Sequence, residues 1–339
     1  MKGLFLIQGT EVPSSRYRVL QFLNTWESAG HVSRVLSLDS ALEHWKGTVE
    51  EARGSHVVFL HRKRLSPGKI RDLGAGGARL VYDVDDAVMF RDALKPGRSR
   101  SVLRQWRYDR TTSAVDQVIV GNSFIAKHTP GARNLAILPT LIDLSRYPPR
   151  PTGSAPSLFP TLVWIGDGGS LHYLEKLGPV LDEVSRRVPH VCLKVICNRF
   201  PKFESMPVIE VPWSAATEVG ELASSDVGLM PLGEDPWSQG KCSLKFLQYL
   251  AAGIPGVVTP VGLNADILGG ADCGRGARTP EEWVGHLTTL LQDRELCRSL
   301  GAKGRALVER DYALEARAGE WVSLVSGSLQ QGQIPVGIK

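Results

Sequence analysis

Residues 226–255 read DVGLMPLGEDPWSQGKCSLKFLQYLAAGIP, and their pattern indicates the class of fold. An apolar run comes first, a polar loop with glycines follows, and apolar residues then recur at helical spacing at Leu244, Leu247 and Ala251. We predict a strand, a loop and a helix that begins near Gly240. A strand that leads through a loop into a helix is the repeating unit of a parallel α/β sheet.

The same alternation continues along the whole chain. The predicted strands are continuous apolar runs, as expected for strands that are covered on both faces. They are Gly3–Gln8, Val32–Leu38, His56–Leu60, Arg79–Val84, Gln117–Val120, Leu135–Leu138, Thr161–Ile165, Val191–Ile196, Val208–Val211, Val227–Met230 and Gly256–Thr259. The predicted helices between them include Ser15–Ala29, Arg100–Ala114, Leu171–Arg187, Ala215–Ser224, Lys241–Ala252 and Pro280–Leu291. The sequence therefore predicts an α/β protein with two doubly wound, Rossmann-like sheets.

The composition fits two ordinary folded domains. The chain has 339 residues, and at roughly 150 residues per domain this length predicts about two of them. Hydrophobic residues make up 42% and charged residues 22%, which excludes a disordered chain, a collagen and a small disulfide-stapled scaffold. The 40 Lys and Arg exceed the 35 Asp and Glu only mildly, so the charge does not indicate a nucleic-acid partner.

A proline-rich stretch marks the predicted domain boundary. Tyr147–Pro156 reads YPPRPTGSAP, and its prolines restrict the backbone and remove amide donors. We predict an N-terminal domain over 1–150, a C-terminal domain over 151–326 whose last helix can return to the first domain, and a flexible tail over 327–339. Ligands of doubly wound sheets bind beyond the carboxyl ends of the strands, so a site is expected in the cleft between two such domains.

The cysteines and the N-terminal residues indicate the cellular compartment that we expect for the protein. The five cysteines are odd in number and form no Cys-x-x-Cys pair, which favours reduced thiols over a zinc site or a disulfide framework. The first ten residues lack the features of a signal peptide, and no run of about 18 apolar residues predicts a transmembrane helix. A cytoplasmic location is expected.

Two lysines and a glutamine stand out in the predicted helix that follows Gly240. Lys241, Lys245 and Gln248 are spaced so that they would share one helix face. Cations near the start of a helix suit an anion such as a diphosphate. A solvated lysine face explains the spacing equally well.

The run from Gly240 to Pro255 resembles the donor-binding segment of family-four glycosyltransferases, which have the GT-B fold. Other segments are similar to that family and occur in its order. They are Ser15–Arg18, Tyr82–Asp86, Val120–Ser123, Pro139–Asp143, Trp164–Asp167, Pro212–Ser214 and Asp226–Leu232. The resemblance implies transfer of a sugar from a nucleotide diphosphate sugar to a hydroxyl acceptor, with retention of configuration and without a metal. The donor would bind the C-terminal domain as a co-substrate, no other cofactor is implied, and the acceptor would bind the N-terminal domain.

The resemblance assigns roles to individual residues of the donor segment. Lys241 and Lys245 would bind the diphosphate, and their charge would stabilise the leaving group. Gln248 stands at the second glutamate of the family's Glu-x7-Glu motif, where it would bind the ribose. Gly240 stands at the first glutamate, so sugar recognition would fall to the preceding loop, at Glu234, Asp235 or Ser238.

Two other loops are expected in the same donor pocket. The loop Gly166–Ser170 follows a predicted strand and allows backbone amides to approach a phosphate, although tight turns use the same residues. Its glycines are Gly166, Gly168 and Gly169. Asn198 and Arg199 follow the next strand, where Arg199 resembles the cation that relatives place beside the diphosphate. Trp213 would flank the nucleobase or simply cap the sheet.

An acidic run, Asp83-Val-Asp-Asp86, ends a strand of the N-terminal half. Asp85 or Asp86 would orient or deprotonate the acceptor hydroxyl. Two other interpretations are a metal-binding Asp-x-Asp motif and a haloacid-dehalogenase-like phosphohydrolase that uses Asp83 and Asp85 with magnesium. His61 ends the preceding strand and is a candidate base or hydrogen-bond donor. Arg16 is a candidate for contact with phosphate or acceptor.

The stretch Arg91–Arg110 concentrates positive charge around Trp106 and Tyr108. Such a helix can lie on an anionic membrane surface, which would suit a lipid-linked acceptor. It can equally contact an acidic acceptor, or be a solvated basic face. The acceptor class therefore stays open between a small molecule, a glycan and a lipid-linked sugar. A sugar-nucleotide binder without catalysis is a further alternative, because Gly240 and Gln248 replace the family's glutamates.

Overall fold

The computed structural model describes residues 1–91, 99–149 and 159–328. Most of the predicted linker at 147–156 lies outside the described residues, as do residues 329–339 of the predicted tail. Lys95 and Arg98 of the basic stretch also lie outside them.

The strands follow the predicted apolar runs closely. They are β1 (Lys2–Ile7), β2 (Val32–Ser37), β3 (Val57–His61), β4 (Arg79–Val84), β5 (Gln117–Val120), β6 (Leu135–Ile137), β7 (Thr161–Ile165), β8 (Cys192–Cys197), β9 (Val208–Pro212), β10 (Val227–Met230), β11 (Gly256–Val258) and β12 (Gly274–Gly276). Eleven of them were predicted within a residue or so at either end. The exception is β12, because two glycines around an arginine carry no apolar signal.

The helices connect these strands. They are α1 (Pro13–Arg18), α2 (Leu23–Ser28), α3 (Leu38–Glu43), α4 (Trp45–Arg53), α5 (Pro67–Gly74), α6 (Val102–Ala114), α7 (Ser123–Lys127), α8 (Leu171–Glu175), α9 (Gly178–Arg187), α10 (Glu218–Ala223), α11 (Pro236–Gln239), α12 (Leu244–Ala251), α13 (Leu263–Gly270), α14 (Pro280–Gln292), α15 (Arg294–Leu307) and α16 (Leu314–Ser326). Local sequence explains several of their starts. Thr279 and Glu282 form a capping box at α14, and the Ser66 side chain caps α5.

Two predicted helices are interrupted. The predicted helix Ser15–Ala29 leaves helical geometry at Val19, and a short 3-10 turn separates α1 from α2. The predicted helix Leu171–Arg187 divides into α8 and α9 at Gly178 and Pro179. Proline has no amide to donate and its ring clashes with the preceding turn, so it starts a helix more readily than it continues one.

Both sheets are parallel and have six strands. The first has the order β2-β1-β3-β4-β5-β6, and the second has the order β12-β11-β10-β7-β8-β9. In each sheet the order reverses once, between β1 and β3 in the first and between β7 and β10 in the second. The carboxyl ends of strands beside such a reversal are where doubly wound sheets bind ligands.

The chain divides into two compact units. The first unit comprises Met1–Leu141, Asp235–Cys242 and Leu314–Lys339, and the second comprises Ile142–Glu234 and Ser243–Ala313. The boundary therefore falls after Leu141 rather than after residue 150. Segment 235–242, which includes α11, belongs with the first sheet although the residues on either side of it in sequence belong with the second.

The core of the first unit includes the last helix. Trp321 of α16 is fully buried and stacks on Phe22 with 4.8 Å between ring centroids. Phe5 of β1 also stacks on Trp321, with 5.9 Å between ring centroids. Aromatic stacking of this kind adds to the free energy gained by burial.

The second unit has its own apolar core. Buried residues of β7, β8 and β10 pack with α9, α14 and α15, and Leu300 of α15 is fully buried among them. Tyr147, from the predicted linker, is also buried in this unit. No helix of the described residues is long and apolar enough to cross a membrane.

Candidate functional site

The glycine loop of the second unit, Gly166–Ser170, follows β7 at its carboxyl end. The Gly168 amide donates to Asn198 Oδ1 at 3.1 Å, and the Ser170 amide donates to Asp167 Oδ1 at 2.9 Å. Both amides therefore already have acceptors, one in the loop and one on Asn198. The sequence predicted that backbone amides of this loop approach a phosphate. Because two of these amides have other acceptors, an anion bound here would depend more on side-chain cations.

One such cation is Lys245 of α12. Its Nζ donates to Ser170 Oγ at 3.0 Å and lies 4.4 Å from the centroid of the Trp164 ring. A Cβ on Gly166 would come within 2.6 Å of the Trp164 ring and 2.9 Å of this Nζ, so both groups pack closely on the glycine. The lysine is thus fixed at the glycine loop by a hydrogen bond and a cation–π contact.

Arg199 lies on another side of the same loop. A Cβ on Gly168 would come within 2.9 Å of Arg199 Cδ and 3.2 Å of Asn198 Oδ1. Both Asn198 and Arg199 are exposed. The glycine loop therefore has a lysine and an arginine packed against it, beside the strand reversal of the second sheet. Gly169 is exposed in the same loop.

Gln248 and Trp213 have internal partners. The Gln248 side chain is buried, and its Nε2 donates to the Tyr147 hydroxyl at 3.2 Å. Trp213 is half-buried, and its Nε1 donates at 2.9 Å to Glu218, which also pairs with Arg146. These partners are residues of the protein itself. The predicted contacts of Gln248 with a ribose and of Trp213 with a nucleobase therefore stay predictions.

The predicted position of Lys241 in the helix is wrong. Helix α12 begins at Leu244, because Ser243 before it has a left-handed backbone with φ of 53°. Lys241 therefore does not share a helix face with Lys245 and Gln248. Its Nζ instead pairs with Asp86 at 3.1 Å and lies 4.9 Å from the centroid of the Trp237 ring, both in the first unit.

Gly240 is packed tightly within the first unit. A Cβ at this position would collide with the Cβ of Ala87 and would come within 2.8 Å of its backbone nitrogen. The Asn122 side chain donates to the carbonyls of Gly240 at 3.0 Å and Lys241 at 3.2 Å. A glutamate cannot replace Gly240 without moving this segment, which gives a steric reason for the departure from the family motif.

The three candidates for sugar recognition differ in exposure. Ser238 is fully buried, and its hydroxyl donates to Asp235 at 2.8 Å, where Asp235 caps α11. These two side chains therefore stabilise a turn. Glu234, in the second unit, is largely exposed and pairs with Arg278. Of the three, Glu234 is the most exposed side chain.

A buried charge cluster lies at the carboxyl ends of β3 and β4 in the first unit. Arg18 binds both carboxylate oxygens of Asp83, at 3.0 and 2.5 Å, and donates to the Leu138 carbonyl at 2.7 Å. Burial alone would lower the pKa of Arg18, but the charge of Asp83 raises it above its ordinary value. Sequence reasoning selected Arg16 and missed Arg18. The available signal was that Arg18 ends the segment Ser15–Arg18, which resembles the family.

His61 ends β3 and is fully buried. Its Nε2 lies 3.7 Å from Asp85 Oδ1 and 3.9 Å from Asp83 Oδ1, beyond hydrogen-bond distance. Both ring nitrogens and Asp85 Oδ1 are buried without a hydrogen-bond partner. Such groups are rare in folded proteins, because each costs about 1–3 kcal/mol.

Arg62 follows with a left-handed backbone at φ of 65°, a strained conformation for a residue with a side chain. Its side chain pairs with Asp86 and lies 3.5 Å from Asp85 Oδ1. Burial would raise the pKa of Asp85, but Arg62, with His61 and Arg18, holds it well below its usual range. Asp85 is therefore an ionised carboxylate with one unsatisfied oxygen.

This arrangement argues against the phosphohydrolase. Both oxygens of Asp83 are occupied by Arg18, so Asp83 is not available as a nucleophile. Among the described residues, no group of three His, Cys, Asp or Glu side chains is arranged to hold a metal ion.

Arg16, the other candidate of the first unit, is half-buried, and its guanidinium lies 5.7 Å from the centroid of the Tyr17 ring.

The comparisons with known proteins agree with the predicted fold. Residues 179–323 match a family described as glycosyl transferase-like. Sucrose-phosphate synthase from Thermosynechococcus elongatus is similar in structure, with a TM-score of 0.73 and 14% identity over 96% of this chain and 98% of that one. No curated protein matches the chain by sequence.

Two further solved structures are similar over nearly the whole chain. HepE from Anabaena, in complex with UDP and glucose, has a TM-score of 0.68 and 12% identity over 97% of this chain and 100% of that one. WaaG, a glycosyltransferase involved in lipopolysaccharide biosynthesis, has a TM-score of 0.68 and 14% identity over 96% of this chain and 100% of that one. The fold that the resemblance implied is confirmed: the chain has the GT-B fold, and its residues 179–323 match the model of a family described as glycosyl transferase-like.

Proposed function

We propose that this protein is a glycosyltransferase that moves a sugar from a nucleotide diphosphate sugar to a hydroxyl acceptor. The observation that carries the proposal is the pair of cations, Lys245 and Arg199, packed against the glycine loop of the second unit. HepE, which has the same fold, was solved with UDP and with UDP-glucose. A uridine diphosphate sugar is therefore the first donor to test.

The two cations suit the charge that develops during transfer. As the bond from the anomeric carbon to the diphosphate breaks, negative charge grows on the leaving phosphate oxygen. Lys245 and Arg199 would offset that charge, and a cation fixed in advance stabilises the transition state more than the ground state. They would supply charge that a divalent metal provides in other transferases, so we propose transfer without a metal.

We propose that Asp85 in the first unit orients the acceptor hydroxyl. The Asp85 side chain is 11% exposed, whereas His61 is sealed and Asp85 Oδ1 is itself buried without a hydrogen-bond partner. An acceptor hydroxyl would donate to the exposed part of this carboxylate, while His61 acts behind it as a positioning residue. Asp86 is paired with Arg62 and Lys241, which leaves Asp85 as the acceptor-binding carboxylate.

The pKa of Asp85 bears on the route of the proton. A carboxylate whose pKa is held well below the usual range is a weak base, so it orients the hydroxyl rather than deprotonating it. The acceptor oxygen would form a bond to the anomeric carbon, and its proton would pass to the departing diphosphate oxygen. Attack from the face of the leaving group retains the configuration of the sugar.

The test is Lys245→Ala, measured as release of nucleotide diphosphate from UDP-sugars in the presence of acceptor. We expect turnover to fall by roughly tenfold to a thousandfold, as the loss of one charge-stabilising group typically does. Lys202→Ala, an exposed lysine of the same unit, is the control and should keep full turnover. Lys241→Ala should cost less than Lys245→Ala, because Asp86 already neutralises Lys241. Equal turnover in Lys245→Ala and the control would refute the donor site.

A second function, binding without catalysis, is favoured by one observation. Gln248 is buried against Tyr147, and Gly240 is packed on Ala87, so neither position offers a carboxylate to a donor. A binder would be stabilised against heat by UDP, since binding to the folded state raises apparent stability. It would release no sugar from any donor, whereas the proposed transferase would.

A further inference from the structure

The first turns of helix α6 expose several large apolar side chains. The described residues expose seven large hydrophobic side chains, and three of them lie on the first turns of this helix. Val102 is 89% exposed, Leu103 is 56% exposed and Trp106 is 46% exposed. Contiguous exposed apolar groups of this kind commonly mark an interaction surface.

Arginines stand among these apolar side chains. At the spacing of an α-helix, Arg110 continues the row of Val102 and Trp106, and Arg107 continues the row of Leu103. Both arginines are exposed, and the Arg110 guanidinium lies 5.8 Å from the Trp106 ring. We call these five residues the α6 surface.

The opposite face of the helix is fixed in the first unit. Tyr108 and Thr111 are fully buried, and the Tyr108 hydroxyl lies 2.6 Å from the Thr129 hydroxyl. Asp109 follows Trp106 by three residues and so lies at the edge of the α6 surface, where it is half-buried and accepts from Gln105 at 2.8 Å. The buried face holds the α6 surface outward, and the two arginines of this surface outnumber the one acidic residue beside it.

We propose that the α6 surface docks on an anionic lipid bilayer. Tryptophan favours the boundary between headgroups and hydrocarbon, where its ring is buried and its N–H stays hydrated. Valine and leucine beside it would enter the apolar layer, while the arginines would reach outward to lipid phosphates. The charge of the surface selects an anionic membrane, because each cation near such a surface strengthens binding roughly fivefold.

The proposal goes beyond sugar transfer and is tested without a donor. Full-length protein is mixed with vesicles of phosphatidylcholine alone or of phosphatidylcholine with phosphatidylglycerol, and the bound fraction is measured by flotation. We expect binding to the phosphatidylglycerol vesicles only. Raising the salt concentration should weaken it, because salt screens exposed charges.

Two variants separate the charged and the apolar contributions. Arg107→Gln with Arg110→Gln should weaken partitioning by roughly tenfold or more, whereas Arg71→Gln with Arg133→Gln removes two exposed arginines elsewhere in the same unit and should change it much less. Leu103→Ser with Trp106→Ser should also lose binding, and Ile209→Ser, which removes a residue 43% exposed, should not.

Three results would overturn the proposal. One is equal binding to both kinds of vesicle, and another is binding that survives both α6 variants. The third is failure to bind vesicles together with self-association that the Leu103→Ser, Trp106→Ser variant abolishes, because the α6 surface would then join two copies of the chain. Release of UDP from a donor in solution provides a separate readout, so failure of the membrane proposal does not decide the proposed function.

Discussion

At the residue scale, Asp85 is kept ionised by its neighbours although its position is largely buried, and burial disfavours a charged carboxylate. Arg62 lies 3.5 Å from it and His61 lies 3.7 Å from it, yet its Oδ1 has no hydrogen-bond partner. The strained backbone of Arg62 is part of the same arrangement. A protein keeps strain and unsatisfied polar atoms together mainly where a ligand completes them.

The low pKa of Asp85 predicts a pH-dependent contribution to stability. A carboxyl group whose pKa is lower in the folded than in the unfolded chain stabilises the fold above its unfolded value, near pH 4, and loses that contribution as the pH falls further. Asp85→Asn should therefore lower the free energy of unfolding by about 1–3 kcal/mol at neutral pH. The difference from wild type should shrink below about pH 4 in urea titrations.

The control for this prediction is Asp39→Asn, which removes an exposed carboxylate at the start of α3. It should change stability by less than about 0.5 kcal/mol at neutral pH, as exposed substitutions usually do. A difference between Asp85→Asn and wild type that is constant from pH 7 to acid would show that Asp85 is not held ionised by its neighbours.

The tight packing of Gly240 predicts that a single added methyl group at this position destabilises the protein. Gly240→Ala places a Cβ against Ala87 and should destabilise the protein by about 1–3 kcal/mol, as overpacking does. Gly47→Ala, in the interior of α4, meets no atom within 4 Å and should stabilise by about 0.5–1 kcal/mol. Urea denaturation measures both, and a neutral Gly240→Ala would mean that the segment moves away from Ala87 at little cost.

At the element scale, segment 235–242 is held on the first sheet by a few polar contacts. Asn122 donates to two of its carbonyls, Lys241 pairs with Asp86, and the Cys242 thiol donates to the Asp85 carbonyl at 2.9 Å. Burial raises the pKa of Cys242, so this thiol stays protonated and can donate. The contacts fix the segment directly beside the acidic run.

Asn122 can be tested for this role separately from its role as the cap of α7. Asn122→Ser keeps a capping oxygen for the Ile125 amide but is too short to donate to Gly240 and Lys241. We expect faster amide hydrogen exchange in peptides that cover 235–242, with little change in α7. Asn122→Ala should accelerate exchange in both, and equal protection of 235–242 in all three proteins would contradict the prediction.

The elements differ in how well the sequence predicted them. Continuous apolar runs found eleven strands, because most of them are buried on both faces; the edge strands β2 and β9 are partly exposed but still carry such a run. The start of α12 was misplaced because Lys241 and Lys245 have helical spacing, whereas the left-handed Ser243 and the packing of Gly240 on Ala87 depend on residues far away in sequence. Arg18 was missed for the same reason, since its partner Asp83 lies 65 residues later.

At the scale of the whole molecule, the chain builds two units whose cores are made of different residues. The first core takes in α16, so the C-terminal part of the chain completes the unit that contains β1. The second core lies around β7, β8 and β10 with α14 and α15. A chain of this kind need not unfold in a single two-state step.

This organisation predicts that core substitutions act on one unit at a time. Trp321→Ala removes the ring that stacks on Phe22 and should destabilise the first unit by about 3–5 kcal/mol. Leu300→Ala, the matched change in α15, should destabilise the second unit by about 2–5 kcal/mol. Hydrogen exchange measured by mass spectrometry should show lost protection in β1, β3 and α2 for Trp321→Ala, and in β7, β10 and α14 for Leu300→Ala. If each substitution instead lowered protection equally in both sheets, the two units would be unfolding as one cooperative body, because stability lost in either core would then be shared by all of the chain.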